Sequence, residues 1–229
     1  MSGSSLKVIA LISMFADHIA KFWLMEYEWF VHPFFTIGHT PISPYFIMAC
    51  IIGRLAFPIF AFLLVEGYTH TRSVKSYALN LLLFALISIL PYNLAKGYLW
   101  QWRGFNILFT LLFGLLGIHA LERMPKSKST LCILALMALA YLMASNYGAM
   151  GVAYIVLLYI TRQNRLYQSL VTCCAFINRI TTLSAVFAMI PISLYNGQRG
   201  FIHGKIGKYL FYAAYPLHLL IIYLLRLYI

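Results

Sequence analysis

An all-α, polytopic bundle of about eight transmembrane helices is the fold class this sequence predicts, and three observations predict it. The 229 residues are 62% hydrophobic and only 10% charged, against roughly a quarter charged in soluble domains. The apolar residues gather into runs, most of them close to the ~20 needed to cross a bilayer. Basic residues outnumber acidic ones 17 to 5, but they are scattered through short connections. That is the pattern of positive loops at a membrane face, not of a nucleic-acid-binding surface. The expected surroundings are therefore membrane lipid, and nucleic acid is excluded as a partner.

The runs predict spans near 6–25, 45–66, 76–95, 105–122, 129–145, 147–162, 169–192 and 209–227, within one integral membrane domain covering 1–229. The first run lacks a small-residue cleavage site and carries Asp17, His18 and Lys21, so it reads as a retained helix and not as a signal peptide. The connection 26–44, with Pro33, Pro41 and Pro44, reads as an irregular or re-entrant loop. Trp23, Trp29, Trp100 and Trp102 fall near span ends, where interfacial aromatics belong. Residues 131–160 are either one long tilted helix or two short spans, and the polar break Ser145-Asn146-Tyr147-Gly148 favours two. With the N-terminus inside, an eight-span count puts Lys7, Arg72, Lys75, Arg123, Lys126, Lys128, Arg162, Arg165 and Arg226 on the inner face. It puts Lys21, Lys96, Arg103, Arg199, Lys205 and Lys208 outside. Nine against six favours a cytoplasmic N-terminus. Cys50, Cys132, Cys173 and Cys174 lie in apolar segments without metal-ligand spacing, which predicts neither disulfides nor a metal.

Ionisable groups inside spans cost about 2.5–3.5 kcal/mol each on insertion scales and usually serve a purpose. Lys7 and His18 are eleven positions apart on the first span, about 16 Å along a helix and nearly on one face. A lysine at one headgroup layer with a histidine near the midplane below it is the layout of a reaction centre reached from one side. Asp17, beside His18, either takes part or pairs with Lys21 four residues on. Arg54 sits mid-span near Pro58, which loosens a helix and frees carbonyls. Glu66 closes that span. Arg179 lies within the seventh span, where it either takes part or binds the bundle together through Asp17 or Glu66. His218 follows Pro216 in the last span, as a site group or as a packed histidine. Arg72 and Lys75, in Thr69-His70-Thr71-Arg72-Ser73-Val74-Lys75, suit phosphate binding or are ordinary positive-inside residues.

The blocks LKVIALISMFADHIAKF, GRLAFPIFAFLLVEGYTHTRS, FNILFTLLFGLL, LYNGQRG and KYLFYAAYPLHLLIIYLL together resemble the TraX family, named for a conjugation protein that acetylates the N-terminus of pilin. That family is similar in turn to the wider class of transmembrane acyltransferases, where a basic residue, ten intervening residues and a histidine mark the first helix. Lys7 and His18 match that pattern. The resemblance implies a multi-pass protein of the bacterial inner membrane that uses cytosolic acetyl-CoA as acyl donor and no metal. The acceptor would be an amine or hydroxyl of a pilin-like protein or a glycan. Carried over, His18 becomes the catalytic base, Lys7 a contact for the CoA phosphates or the pantetheine entrance, and Arg54 a second site group; the residues themselves add Asp17 as a catalytic candidate and Arg72 and Lys75 as cofactor-binding candidates. The rival reading is a proton-coupled transporter or lipid-handling protein with Asp17, His18, Glu66 and Arg179 as its relay.

Overall fold

The computed structural model describes residues 1–98, 105–177, 180–202 and 204–228. Helix α1 (Gly3–Phe22) begins at Ser2, whose hydroxyl accepts from the Ser5 amide at 3.3 Å and so satisfies an orphan donor of the first turn. A turn at Leu24–Glu26 and the short α2 (Glu28–Val31) lead into a hairpin of β1 (Phe35–Ile37) and β2 (Thr40–Ile42). The strands pair antiparallel and turn at Gly38, with φ +59°. The connection 26–44, read from sequence as irregular or re-entrant, thus holds a short helix and a hairpin. Glycine supplies the left-handed turn, and a two-stranded ribbon leaves outer edges on which Pro41 needs no donor.

Residues 46–70 continue without a break but change helix type. A π-helical turn (Phe46–Ile52) and a 3-10 turn (Gly53–Leu55) precede α3 (Ala56–His70). Pro58 accounts for the 3-10 turn, because it has no N–H and its ring crowds the carbonyl four residues back, at Arg54. The same cause recurs twice. Helices α4 (Val74–Ile87) and α5 (Ile89–Ala95) meet at a 40° bend, where Pro91 opposes the Ile87 carbonyl. There the Ser88 hydroxyl donates to Phe84 O at 2.6 Å, a back-bond that itself bends helices. After α6 (Ile107–Arg123), α7 (Lys126–Leu142), α8 (Gly148–Ile160) and α9 (Arg165–Phe176) come α10 (Ile180–Leu183), a 3-10 turn (Ser184–Ala188) and α11 (Met189–Ser193). Here Pro191 opposes the Phe187 carbonyl. The last helix is α12 (Gly204–Leu227).

The chain divides into two compact units, Met1–Phe60 with Thr172–Ile229, and Ala61–Val171. In the second, α6 is the buried centre. Asn106 caps it, accepting from Leu108 N at 3.1 Å and donating to Ala85 O at 2.8 Å. Helices α6 and α8 run parallel: Thr110 bonds Ser145 at 3.0 Å, Gly114 lies against Ile155, and the Tyr159 hydroxyl donates to Glu122 at 2.6 Å. The turn between α7 and α8 holds Ala144 and Tyr147 at positive φ. The polar break at 145–148 therefore does separate two helices.

In the first unit α1 packs along 46–55. Gly53 approaches so closely that a Cβ there would stand 2.6 Å from Asp17 Cβ. Helices α1 and α12 run parallel: Ser4 meets Arg199 and Ile202, Lys7 lies over Phe211, His18 meets His218, and Glu26 pairs with Arg226. Among the described residues three helical runs are long and apolar enough to cross a membrane: Gly3–Glu26, Phe46–His70 and Gly204–Leu227. They become four if the bent pair α4–α5 is one span. The protein is a helical membrane protein, and the described residues supply three or four of the eight expected crossings. The 13 residues of α8 rise only ~20 Å against a ~30 Å hydrocarbon core, and 169–192 is split among α9, α10 and α11. Eight crossings would also run α12 antiparallel to α1. The parallel pair brings Lys7 to the same end as Arg199, Lys205 and Lys208, which the eight-span count had placed on the opposite face.

Candidate functional site

His18 and His218 are both buried and meet on the seam between α1 and α12, with His18 Nδ1 2.6 Å from His218 Nε2. The ring planes differ by 2° and the centroids are 4.9 Å apart. That separation is about as large as the nitrogen contact permits, so the rings lie end to end in one plane with a hydrogen bond along their common axis. His218 Nδ1 lies 2.8 Å from Ala214 O. A carbonyl only accepts, so this nitrogen carries a proton and the facing Nε2 of a neutral His218 carries the lone pair. His18 Nδ1 must then donate, and in neutral His18 the lone pair falls on Nε2. One backbone carbonyl, acting through two rings, sets the tautomer of His18.

Aromatic side chains hold the pair. Phe22, one turn along α1, stacks on His18 at 5.1 Å between centroids. Phe15 lies 4.7 Å from the His218 ring, and Tyr215 presents an edge to both imidazoles at 6.0 and 5.6 Å. These are the i±3 and i±4 neighbours that a helix places on one face. Low-dielectric packing of this kind strengthens a hydrogen bond that is made.

Asp17 points elsewhere. It pairs with Lys21, whose Nζ lies 2.7 Å from Oδ2. Arg54 follows Gly53, which touches Asp17, and so stands at this level of α1. Its Nε donates to Thr181 O at 3.2 Å, tying the irregular 46–55 segment to α10. Ser184 adds a second tie by donating to the Cys50 carbonyl. Lys7 is half-buried with its ammonium 5.2 Å from the centre of the Phe211 ring. Lys7 and His18 thus both face α12, as their spacing predicts.

Glu66 belongs to the second unit and has His70 as its ionic neighbour at 4.0 Å. Arg72, in the connection before α4, and Lys75, in the first turn of α4, are exposed in the same unit, and Ser73 between them caps α4 by accepting from Ser76 N at 3.2 Å. Arg179, Trp100, Trp102 and Arg103 lie outside the described residues. Sequence reasoning missed Phe15, Phe22, Tyr215 and the Ala214 carbonyl. Their only signal was position: three or four residues from a histidine on the same helix.

The block LYNGQRG shapes the entrance to the seam. Gly3 N donates to Gln198 O at 2.7 Å, Ser4 N to Arg199 O at 3.0 Å, and Ile202 N to Ser4 Oγ at 2.6 Å. Gly200, at φ +80°, passes so near that a Cβ would meet Ser2 Oγ at 2.4 Å. Among the described residues no three of His, Cys, Asp or Glu gather as metal ligands.

No solved structure matches this chain. It is similar to the probable fimbrial assembly protein FimC, serogroup H1, of Dichelobacter nodosus, with 26% identity over 248 aligned positions, covering 95% of this chain and 93% of that relative. The model of the TraX protein family matches residues 2–226, and with every quoted block inside that range the chain belongs to the TraX family.

Proposed function

We propose that this protein is a membrane-embedded acetyltransferase that moves an acetyl group from acetyl-CoA to an amine or hydroxyl, with His18 as general base. The observation that carries the reading is the in-line chain from His18 through His218 to Ala214 O. A base needs a lone pair fixed in direction and a way to spread the charge it gains, and this chain supplies both. As an acceptor amine attacks the thioester carbonyl, its proton passes to His18 Nε2. The imidazolium is then stabilised through its Nδ1–H bond to His218, whose own Nδ1–H bonds the carbonyl dipole of Ala214. When the tetrahedral adduct collapses, the C–S bond breaks and the thiolate takes the proton from His18. The products are CoA thiol and the acetylated amine. Arg54, at the level of His18, is the candidate donor for the oxyanion.

The family and the fimbrial name of the D. nodosus relative support a pilin-like N-terminus as the acceptor. Charge supports a cytoplasmic N-terminus in a bacterial inner membrane. The end of the α1–α12 pair at Lys7, Arg199, Lys205 and Lys208 has no acidic residue, whereas the other end carries Glu26 and Glu28 beside Lys21 and Arg226. CoA would then reach the seam from the cytosol. Purified protein in lipid nanodiscs, given acetyl-CoA and a peptide with a free pilin-like N-terminus, is expected to release CoA thiol. His18→Ala is expected to lower that rate about 10²–10⁴-fold, the usual contribution of a general base. An unchanged rate in the variant would sink the assignment.

A further inference from the structure

Carboxylates are few in this chain and unevenly placed. All five lie at or before Glu122, at Asp17, Glu26, Glu28, Glu66 and Glu122, and none precedes Asp17. Asp17 is taken by Lys21, Glu26 by Arg226, and Glu122 by Tyr159. The end of the first unit where α1 and α12 begin therefore has no acidic residue on either helix or on the connecting loop, yet it gathers Lys7, Arg199, Lys205 and Lys208. Proximity here is built, not incidental. The Arg199 carbonyl accepts from both the amide and the hydroxyl of Ser4 at 3.0 and 2.9 Å, which fixes the guanidinium-bearing residue three positions from Lys7. The Lys7 ammonium consequently feels Arg199 as a like charge and lies over the Phe211 ring. Arg199 and Lys205 are exposed and Lys208 is half-buried, so the cluster opens outward while Lys7 faces the seam.

Like charges at one end of a parallel helix pair, with Arg199 fixed beside α1 by backbone bonds and no acidic residue on either helix there, suit a polyanionic ligand. The seam adds a length. From Lys7 the α1 face runs about 16 Å along apolar and aromatic residues to His18, comparable to the reach of an extended pantetheine arm. Resting on the acetyltransferase reading, we propose that Lys7, Arg199, Lys205 and Lys208 form a phosphate-binding mouth for the nucleotide end of acyl-CoA, with the pantetheine arm along the α1–α12 seam. Arg199 supplies the planar fork that grips phosphate, and Lys7 stands where the phosphates give way to the arm.

The test is binding, not turnover. In nanodiscs of neutral phosphatidylcholine, wild-type protein is expected to bind CoA and, more weakly, adenosine 3′,5′-bisphosphate, with affinity falling as salt rises. Arg199→Gln and Lys205→Gln should each weaken CoA binding about tenfold, as loss of a charge-assisted bond does. Arg199→Lys should recover part of the loss. Thermal unfolding near the wild-type temperature certifies that each variant is folded. Wild-type CoA affinity in folded Arg199→Gln and Lys205→Gln would overturn the mouth, as would absence of CoA binding by the wild type. Displacement of CoA by phosphatidylglycerol in the nanodisc would assign the cluster to lipid phosphate and overturn it too. Failure of transfer with CoA binding intact and Arg199-dependent would count against the base alone.

Discussion

Two imidazoles aligned in one plane at 2.6 Å share a single proton between their facing nitrogens, and the Ala214 carbonyl decides which ring owns it. In the proposed reaction His218 therefore acts through His18 as a positioning residue. Replacing His218 by Leu removes the acceptor for His18 Nδ1–H, whereas Gln offers a carbonyl oxygen in its place. Nitrogen NMR of 15N-histidine-labelled protein should show His18 with a protonated Nδ1 and an unprotonated Nε2 in the wild type. That signature should vanish in His218→Leu and return in part in His218→Gln; an unchanged tautomer in His218→Leu would remove the role. The Asp17–Lys21 pair allows a separate prediction, its side chains being 15% and 23% exposed. Asp17→Asn leaves the ammonium without its carboxylate and should cost about 3 kcal/mol, with much of it recovered in Asp17→Leu/Lys21→Leu. Chemical unfolding checks both. At this scale the sequence was readable where a residue violated its surroundings: His18 stood out as an ionisable group in an apolar run, and Lys7 by its spacing from it. The pairing of His18 with His218, two hundred positions away, had no local trace.

Elements in this chain are shaped by three prolines acting on the carbonyl four residues earlier. Pro58, Pro91 and Pro191 follow the 3-10 turn at Gly53–Leu55, the 40° bend after α4 and the 3-10 turn at Ser184–Ala188. The first and third of these meet: Ser184 bonds the Cys50 carbonyl and Arg54 bonds Thr181 O, so two irregular segments satisfy each other's backbone groups inside a membrane protein. Gly53 sits at this junction. Its substitution by Ala would drive a Cβ to 2.6 Å from Asp17 Cβ and 3.0 Å from Asp17 Cα, contacts that only a helix shift relieves. The expected cost is about 1–3 kcal/mol, read as a lower thermal unfolding temperature; wild-type stability would show that α1 does not lie this close. The helical runs were legible because apolar composition marks them whatever their geometry. Their interruptions were legible only as prolines, since composition does not say whether a run bends, splits or crosses.

At the scale of the molecule, the parallel course of α1 and α12 is what aligns the cationic mouth with the imidazole pair. It was hidden in the sequence because parity decides it: one apolar run that fails to cross reverses every assignment after it. In a cysteine-free background, Ser2→Cys and Lys205→Cys should react with an impermeant thiol reagent from the same face of the membrane, and Glu28→Cys from the other. Labelling of positions 2 and 205 from opposite faces would break the parallel pair. The family identifies the relatives, and the proposed chemistry rests on the seam between these two helices. The most direct measurement is mass-resolved transfer of an isotopically labelled acetyl group from acetyl-CoA to the α-amine of a pilin-like peptide by purified protein. The account predicts labelled peptide with the wild type, a rate lower by about 10²-fold or more with His18→Ala, and an intermediate rate with His218→Gln. Equal labelling by wild type and His18→Ala, or none by a folded wild type that binds acetyl-CoA and the peptide, would contradict it.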